Sequence, residues 1–204
     1  MSRKAFFTKE DFIEAGVSLV RDLGIDALTA RTLSKRMGCS TSPIFSVYEN
    51  LSQLKDDVVK RVCEMYEDYV ADSINYNPAF KEFGRRVVQF GINEPRLFNL
   101  VMQPIGQEHH HFRTPVEVKL EEELCHLYHI TQRQARVLVE QMQIFTTGMA
   151  TRYSSGWDAY SDDTINFNLG AAFLGMLMYV KEMDRLPIVS PLPRDNDNQP
   201  LIPN

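Results

Sequence analysis

At 204 residues the chain is long enough to withdraw about 70% of its unfolded surface from water, which allows one or two packed domains. A formal net charge of −5, from 22 Lys and Arg against 27 Asp and Glu, excludes a basic coat for nonspecific nucleic-acid binding. Three widely separated cysteines, Cys39, Cys63 and Cys125, exclude a disulfide framework and a paired-thiolate metal pattern. The N-terminus lacks the apolar core of a signal peptide, and the longest apolar run, 169–180, is too short to span a bilayer. A cytoplasmic protein with no membrane partner is the expectation.

Residues 1–7 carry Arg3 and Lys4 and read as a mobile arm. From Thr8 to Leu23, the residues Phe12, Gly16, Leu19, Val20 and Leu23 recur every three or four positions, which predicts an amphipathic helix with one buried face. Gly24 ends it. Thr29 is placed to cap a second helix holding Leu33 and Met37, and Gly38 directly after it supplies a left-handed turn. Ser40 is the expected cap of a third, short helix with Pro43 in its first turn, where a missing N–H costs nothing. Helix, glycine turn and capped short helix fit a helix-turn-helix, and equally an ordinary helical hairpin. A fourth helix follows Asn50, in which Leu51, Leu54, Val58, Val62, Met65, Tyr66 and Tyr69 keep the helical period for about five turns. That is longer than a small module needs, so it reads as a strut into a second domain.

The break at Asn75-Tyr76-Asn77-Pro78 is the predicted domain boundary. Phe80 to Ile92 is helical by period, with Phe83, Val87, Phe90 and Gly91 inward, and Pro95 opens a shorter helix with Leu97, Phe98, Val101 and Met102. Residues 103–114 read as irregular and include the run His109-His110-His111-Phe112. Val116 to Tyr128 is a charged helix, and Thr131 with Gln134 forms a capping box before a long helix. In that helix Ala135, Leu138, Met142, Phe145, Met149 and Tyr153 make one apolar stripe, and Val137 and Ile144 a second. A last helix, about 161–183, carries Ile165, Leu169, Ala172, Phe173, Met176, Leu177 and Val180. Gly170, Ala171, Ala172 and Gly175 are small enough for close approach of another helix, either within the domain or from a second copy of the chain. The proline-rich tail, 187–204, is predicted to stay disordered.

The ordered run Thr8, Phe12-Ile13, Ala15, Leu19, Gly24-Ile25-Asp26-Ala27-Leu28-Thr29, Arg31, Leu33, Gly38-Cys39-Ser40, Phe45, Tyr48, Asn50, Leu54 closely resembles the DNA-binding domain of the tetracycline-repressor (TetR/AcrR) family. It covers about the first quarter of the chain. The resemblance implies an all-α fold: a helix-turn-helix domain over residues 1–50, a connecting helix over about 50–75, and a ligand-sensing, dimerising domain over 76–186. It implies a homodimer that binds a two-fold operator in double-stranded DNA, most often as a repressor released by a small molecule, and no enzymatic activity. Two positions depart from the pattern, Phe45 standing where a Tyr is common and Leu51 where a Lys is common.

Expected DNA contacts are Thr29, Arg31, Lys35, Thr41, Ser42, Pro43, Ser46, Tyr48 and Lys55, with Ile44 and Val47 partly inward. Residues 1–60 hold nine Lys or Arg against eight Asp or Glu, so affinity must come from a few placed cations and hydroxyls. In the second domain Phe98, Met102, Phe112, Met142, Phe145, Met149, Tyr153, Trp157 and Phe173 form either plain core or the wall of a pocket for a small hydrophobic ligand. Leu169, Ala172, Gly175 and Met176 are the expected dimer contacts. The competing class is a helical metal or redox enzyme, since Glu123 and His126 have the Glu-x-x-His spacing of carboxylate-bridged sites and three histidines stand at 109–111. Such bundles want two of these motifs on helices plus further inward glutamates, and the stretches read as helical carry one. No metal or cofactor is expected.

Overall fold

The structure, a computed structural model, describes residues 7–102, 114–156 and 160–185, and these residues are helical with no strand among them. In chain order the helices are α1 (Lys9–Leu23), α2 (Ala30–Met37), α3 (Ser42–Val47), α4 (Leu51–Ala71), α5 (Ala79–Asn93), α6 (Pro95–Met102), α7 (Pro115–Tyr128), α8 (Gln132–Ser154) and α9 (Asp162–Glu182). Short 3-10 turns, Ile25–Ala27 and Asp72–Asn75, join α1 to α2 and extend α4 toward α5. The predicted all-α architecture is the one observed.

Local chemistry sets most of the helix starts. Thr8 accepts from the Asp11 backbone N–H at 3.2 Å while Asp11 accepts from the Thr8 N–H at 2.8 Å, the reciprocal box that satisfies two orphan donors. Thr114 with Glu117 and Thr131 with Gln134 repeat it at α7 and α8. Asn50 caps α4 through the Gln53 N–H at 3.0 Å, and Ser161 caps α9 through the Thr164 N–H.

The head, α1 to α3, closes over the first half of α4. Phe12, Leu19, Val20, Leu28, Leu33, Ile44, Leu54 and Val58 are fully buried there. Gly16 is where α1 crosses α4: a Cβ on it would lie 2.5 Å from Cγ2 of Val58, so only glycine permits this approach. Leu23, expected on the buried face of α1, is exposed, and Val17 is buried instead. The helix turns its last residue away as it reaches Gly24.

In the body, α5 packs along α8, with α7 and α9 against their flanks and α6 folded back onto α1 and α4. Gly91 lets α5 and α8 meet, since a Cβ there would lie 2.6 Å from the Ala150 Cβ. Arg86 ties α4 to α5. Its guanidinium donates to the Tyr69 carbonyl at 2.8 Å and to Glu82 at 2.9 Å, pairs with Asp72, and lies over the Tyr69 and Tyr76 rings. The buried side chains of head and body form one continuous cluster through α4.

Candidate nucleic-acid interface and regulatory cleft

The α2–α3 unit is built from its ends inward. Thr29 caps α2 through the Thr32 N–H at 3.2 Å, and the Thr32 hydroxyl returns to the Thr29 N–H at 3.0 Å. At the other end Gly38 adopts φ 65° and ψ 31°, and its N–H closes onto Lys35 and Ser34 carbonyls. The left-handed residue reverses the chain as the sequence predicts. Ser40 is not the cap of α3. Thr41 stands at that position with helical backbone and no capping side-chain bond, and Ser42 and Pro43 form the first turn. A capping hydroxyl needs extended backbone at the cap residue, which this turn does not provide.

Ile44 is fully buried and fixes α3 in the head. Ser42 and Ser46 point the opposite way and are exposed, as is Thr41. Val47, the last residue of α3, is 39% exposed and so partly turned inward. One expectation fails here. Tyr48 is only 3% exposed and does not face outward as a DNA contact. Its ring packs edge-on to Phe12 at 6.4 Å, with the Lys9 ammonium 5.6 Å from its centroid. Burial, followed by the nearby Asp57 carboxylate, pushes the Tyr48 phenol well above its ordinary pKa. Tyr48 is a core pin, and Lys9, 2.8 Å from Asp57, closes the same corner.

Several cations of the head and of α4 are already used. Arg36 pairs with Asp22 at 2.7 Å and bonds the Ser18 hydroxyl, and Arg61 of α4 pairs with Glu14. Among the described residues Arg31, Lys35 and Lys55 have no acidic side chain within 4.0 Å; Arg31 and Lys35 are exposed and Lys55 is half-buried. The structure therefore leaves Arg31, Lys35, Thr41, Ser42 and Ser46 accessible on the helix-turn-helix, while the Thr29 hydroxyl is engaged in its cap.

The expected pocket is only partly where the apolar stripe suggested. A cleft of about 570 Å³, including its open mouth, lies between the start of α5 and helices α7, α8 and α9. Met142 and Phe173 of the expected set line it, together with Phe80, Leu124 and Tyr128. Lys81 and Glu123 give it polar edges. Phe98, Met149 and Tyr153 are core, Phe145 is half-buried outside the lining, and Met102 is exposed at the end of α6. The stripe covers the face of α8 that packs on α5, so most of it is spent on helix contact. Phe112, Trp157 and the 109–111 histidines lie outside the described residues.

Glu123 has a structural task. Its two carboxylate oxygens accept from the Ala79 and Phe80 backbone N–H groups at 2.9 and 3.0 Å, capping α5 where Pro78 has no side chain to do so. His126 is exposed on α7, and no three described His, Cys, Asp or Glu side chains form a group that would hold a metal ion. No described helix is long and apolar enough to cross a membrane.

Two features were missed in the sequence. Arg21 at the end of α1 grips Glu94 with Nε at 3.0 and 2.9 Å from its two oxygens, and Arg96 donates to the Arg21 carbonyl at 3.3 Å. The head is thus strapped to the α5–α6 corner. The other is the set of large apolar side chains on the outer face of α9, the helix expected to meet a second copy: Phe167, Leu174 and Met178 stand exposed beside Gly170, Ala171 and Gly175. Leu169, expected on that face, is buried and packs over Gly84, where a Cβ would be 3.6 Å away. Ala172 and Met176 are half-buried.

Fold and site together define an all-helical chain with a helix-turn-helix head strapped to a larger helical body. No family model and no curated protein matches the sequence. Among solved structures, the chain is similar to a variant of TetR from Acinetobacter baumannii AYE in complex with minocycline. The TM-score is 0.56 at 14% identity, covering 88% of this chain and 97% of that one. The chain has the tetracycline-repressor fold.

Proposed function

We propose that the protein is a homodimeric DNA-binding regulator of transcription, acting as a repressor that leaves its operator when a small hydrophobic molecule binds. Residues 1–50 act as the DNA-binding head, α4 as the connection, and residues 76–186 as the sensing and dimerising body. The observation that carries the reading is the outward face of α3. It is anchored from behind by Ile44, presents Ser42 and Ser46, and has on the preceding helix Arg31 and Lys35, which have no acidic partner among the described residues. A short helix held this way enters a major groove while neighbouring cations hold the phosphates.

Dimerisation is supported by the apolar outer face of α9, since two such faces related by a two-fold axis cover each other. Ligand response is supported by the cleft beside that face, and by the minocycline complex of the similar protein. A ligand shifts affinity only if it prefers one arrangement of the two heads. α4 belongs to both parts, and the Arg21–Glu94 strap holds the head to the α5–α6 corner, so movement of that corner carries α1 with it. Selection from random duplexes tests the reading: a two-fold sequence should emerge, and recovery of no preferred sequence would remove the regulator and leave the fold.

A further inference from the structure

The polar reach of α3 is smaller than its sequence implies. The Ser46 hydroxyl donates to the Pro43 carbonyl at 2.7 Å, so its proton is already used inside the helix. Residues 41–47 contain no amide, guanidinium or ammonium side chain, the groups that read guanine or adenine with paired hydrogen bonds. The helix exposes carbon instead. Phe45 is 52% exposed and Val47 39%, and Pro43 is half-buried beside them. By helical rotation Phe45 stands one turn on from Ser42, at the edge of the outward face and away from buried Ile44. No ring of a described residue stacks on it.

We infer that Phe45, flanked by Pro43, reads the C5-methyl groups of thymine, so that the operator half-site is defined by A·T pairs under α3. The inference rests on α3 being the recognition helix. Thymine alone among the bases shows a methyl group in the major groove, and an aromatic edge is an apolar partner for it. The occupant is nucleic acid because Arg31 and Lys35 have no acidic partner among the described residues and suit a polyanion. Phosphate attraction carries no sequence information. Affinity and discrimination are therefore divided between helices: α2 attracts the backbone, and α3 selects by covering methyl groups. Burying one methyl-sized group corresponds to about a fourfold preference, and the two-fold site doubles the number of contacts.

The test uses the full-length dimer on the site recovered by selection. Each thymine under α3 is replaced by deoxyuridine, which deletes the methyl and keeps the base pairing. Affinity is expected to fall about fourfold for a critical methyl and more than tenfold for its symmetric pair. Phe45→Ala, checked for unchanged helicity and dimerisation, is expected to bind more weakly and to respond less than about twofold to the same replacements. Phe45→Leu should retain part of the response. Undiminished affinity for the deoxyuridine duplexes, or a selected site defined by guanines, would overturn the inference while leaving the regulator intact. Equal deoxyuridine sensitivity in wild type and Phe45→Ala would remove Phe45 from the readout. Absence of any preferred sequence would remove the regulator reading, and the inference with it.

Discussion

Replacing Leu174 by Glu addresses the pairing of two chains. Leu174 is 58% exposed, Phe167 74% and Met178 65%, so more than half of each side chain is left for a partner to cover. Full burial of such a side chain is worth about 1.5–3 kcal/mol. The uncovered part then holds about 1–2 kcal/mol per residue. Three residues from each of two symmetric chains supply roughly 6–12 kcal/mol, which is set against an association cost of about 4–15 kcal/mol. Leu174→Glu removes this contribution twice in a symmetric dimer and sets two carboxylates in the same apolar contact. The loss is about 2–4 kcal/mol before repulsion, a weakening of about 30- to 1000-fold. Sedimentation velocity at micromolar concentration should show a dimer for the wild type and a monomer for the variant. Circular dichroism should be unchanged, because the side chain is exposed within each chain. A variant that remains a tight dimer would place the interface elsewhere and refute the burial argument.

Three further outcomes follow from the body. Hydrogen bonds from Arg85, with Arg86 adding its charge, hold the Glu82 carboxyl below its ordinary pKa range; its stabilisation is therefore complete above about pH 4.3 and is lost as pH falls through the lower folded value. Glu82→Gln should cost about 1.5–3 kcal/mol at pH 7 in urea unfolding, with the gap to wild type closing as the pH drops below about 4. Removing the carboxylate cap with Glu123→Ala should cost about 0.5–2 kcal/mol and speed amide exchange in the first turn of α5. Gly91→Ala should lower the melting temperature by forcing α5 from α8, at about 1–3 kcal/mol, whereas Gly148→Ala, with open space around it, should not.

What the sequence disclosed was local. Thr29, the Thr131–Gln134 pair and Gly38 each act through atoms three or four residues away, so type and spacing were enough. The stripe on α8 was legible as buried because its polar residues lie opposite. α9 was harder, being apolar on both sides: Leu169 and Leu174 are alike by period, and only the position of α5 decides which is buried. Tyr48 could not be oriented, because it follows a helix too short for a period to form. Glu123 and its α5 N–H partners are 43 and 44 residues apart, and Arg21 and Glu94 are 73 apart. Such bonds exist only after the chain has folded and leave no local pattern.

The central claim is that two heads on one dimer read one face of a duplex. It is tested by inserting five base pairs between the half-sites of the selected sequence, which turns one half-site about half a helical turn to the far side. Affinity is predicted to drop to that of a single half-site, with the shallower salt dependence of about half as many neutralised phosphates. Unchanged affinity and unchanged salt slope on the expanded site would contradict the account.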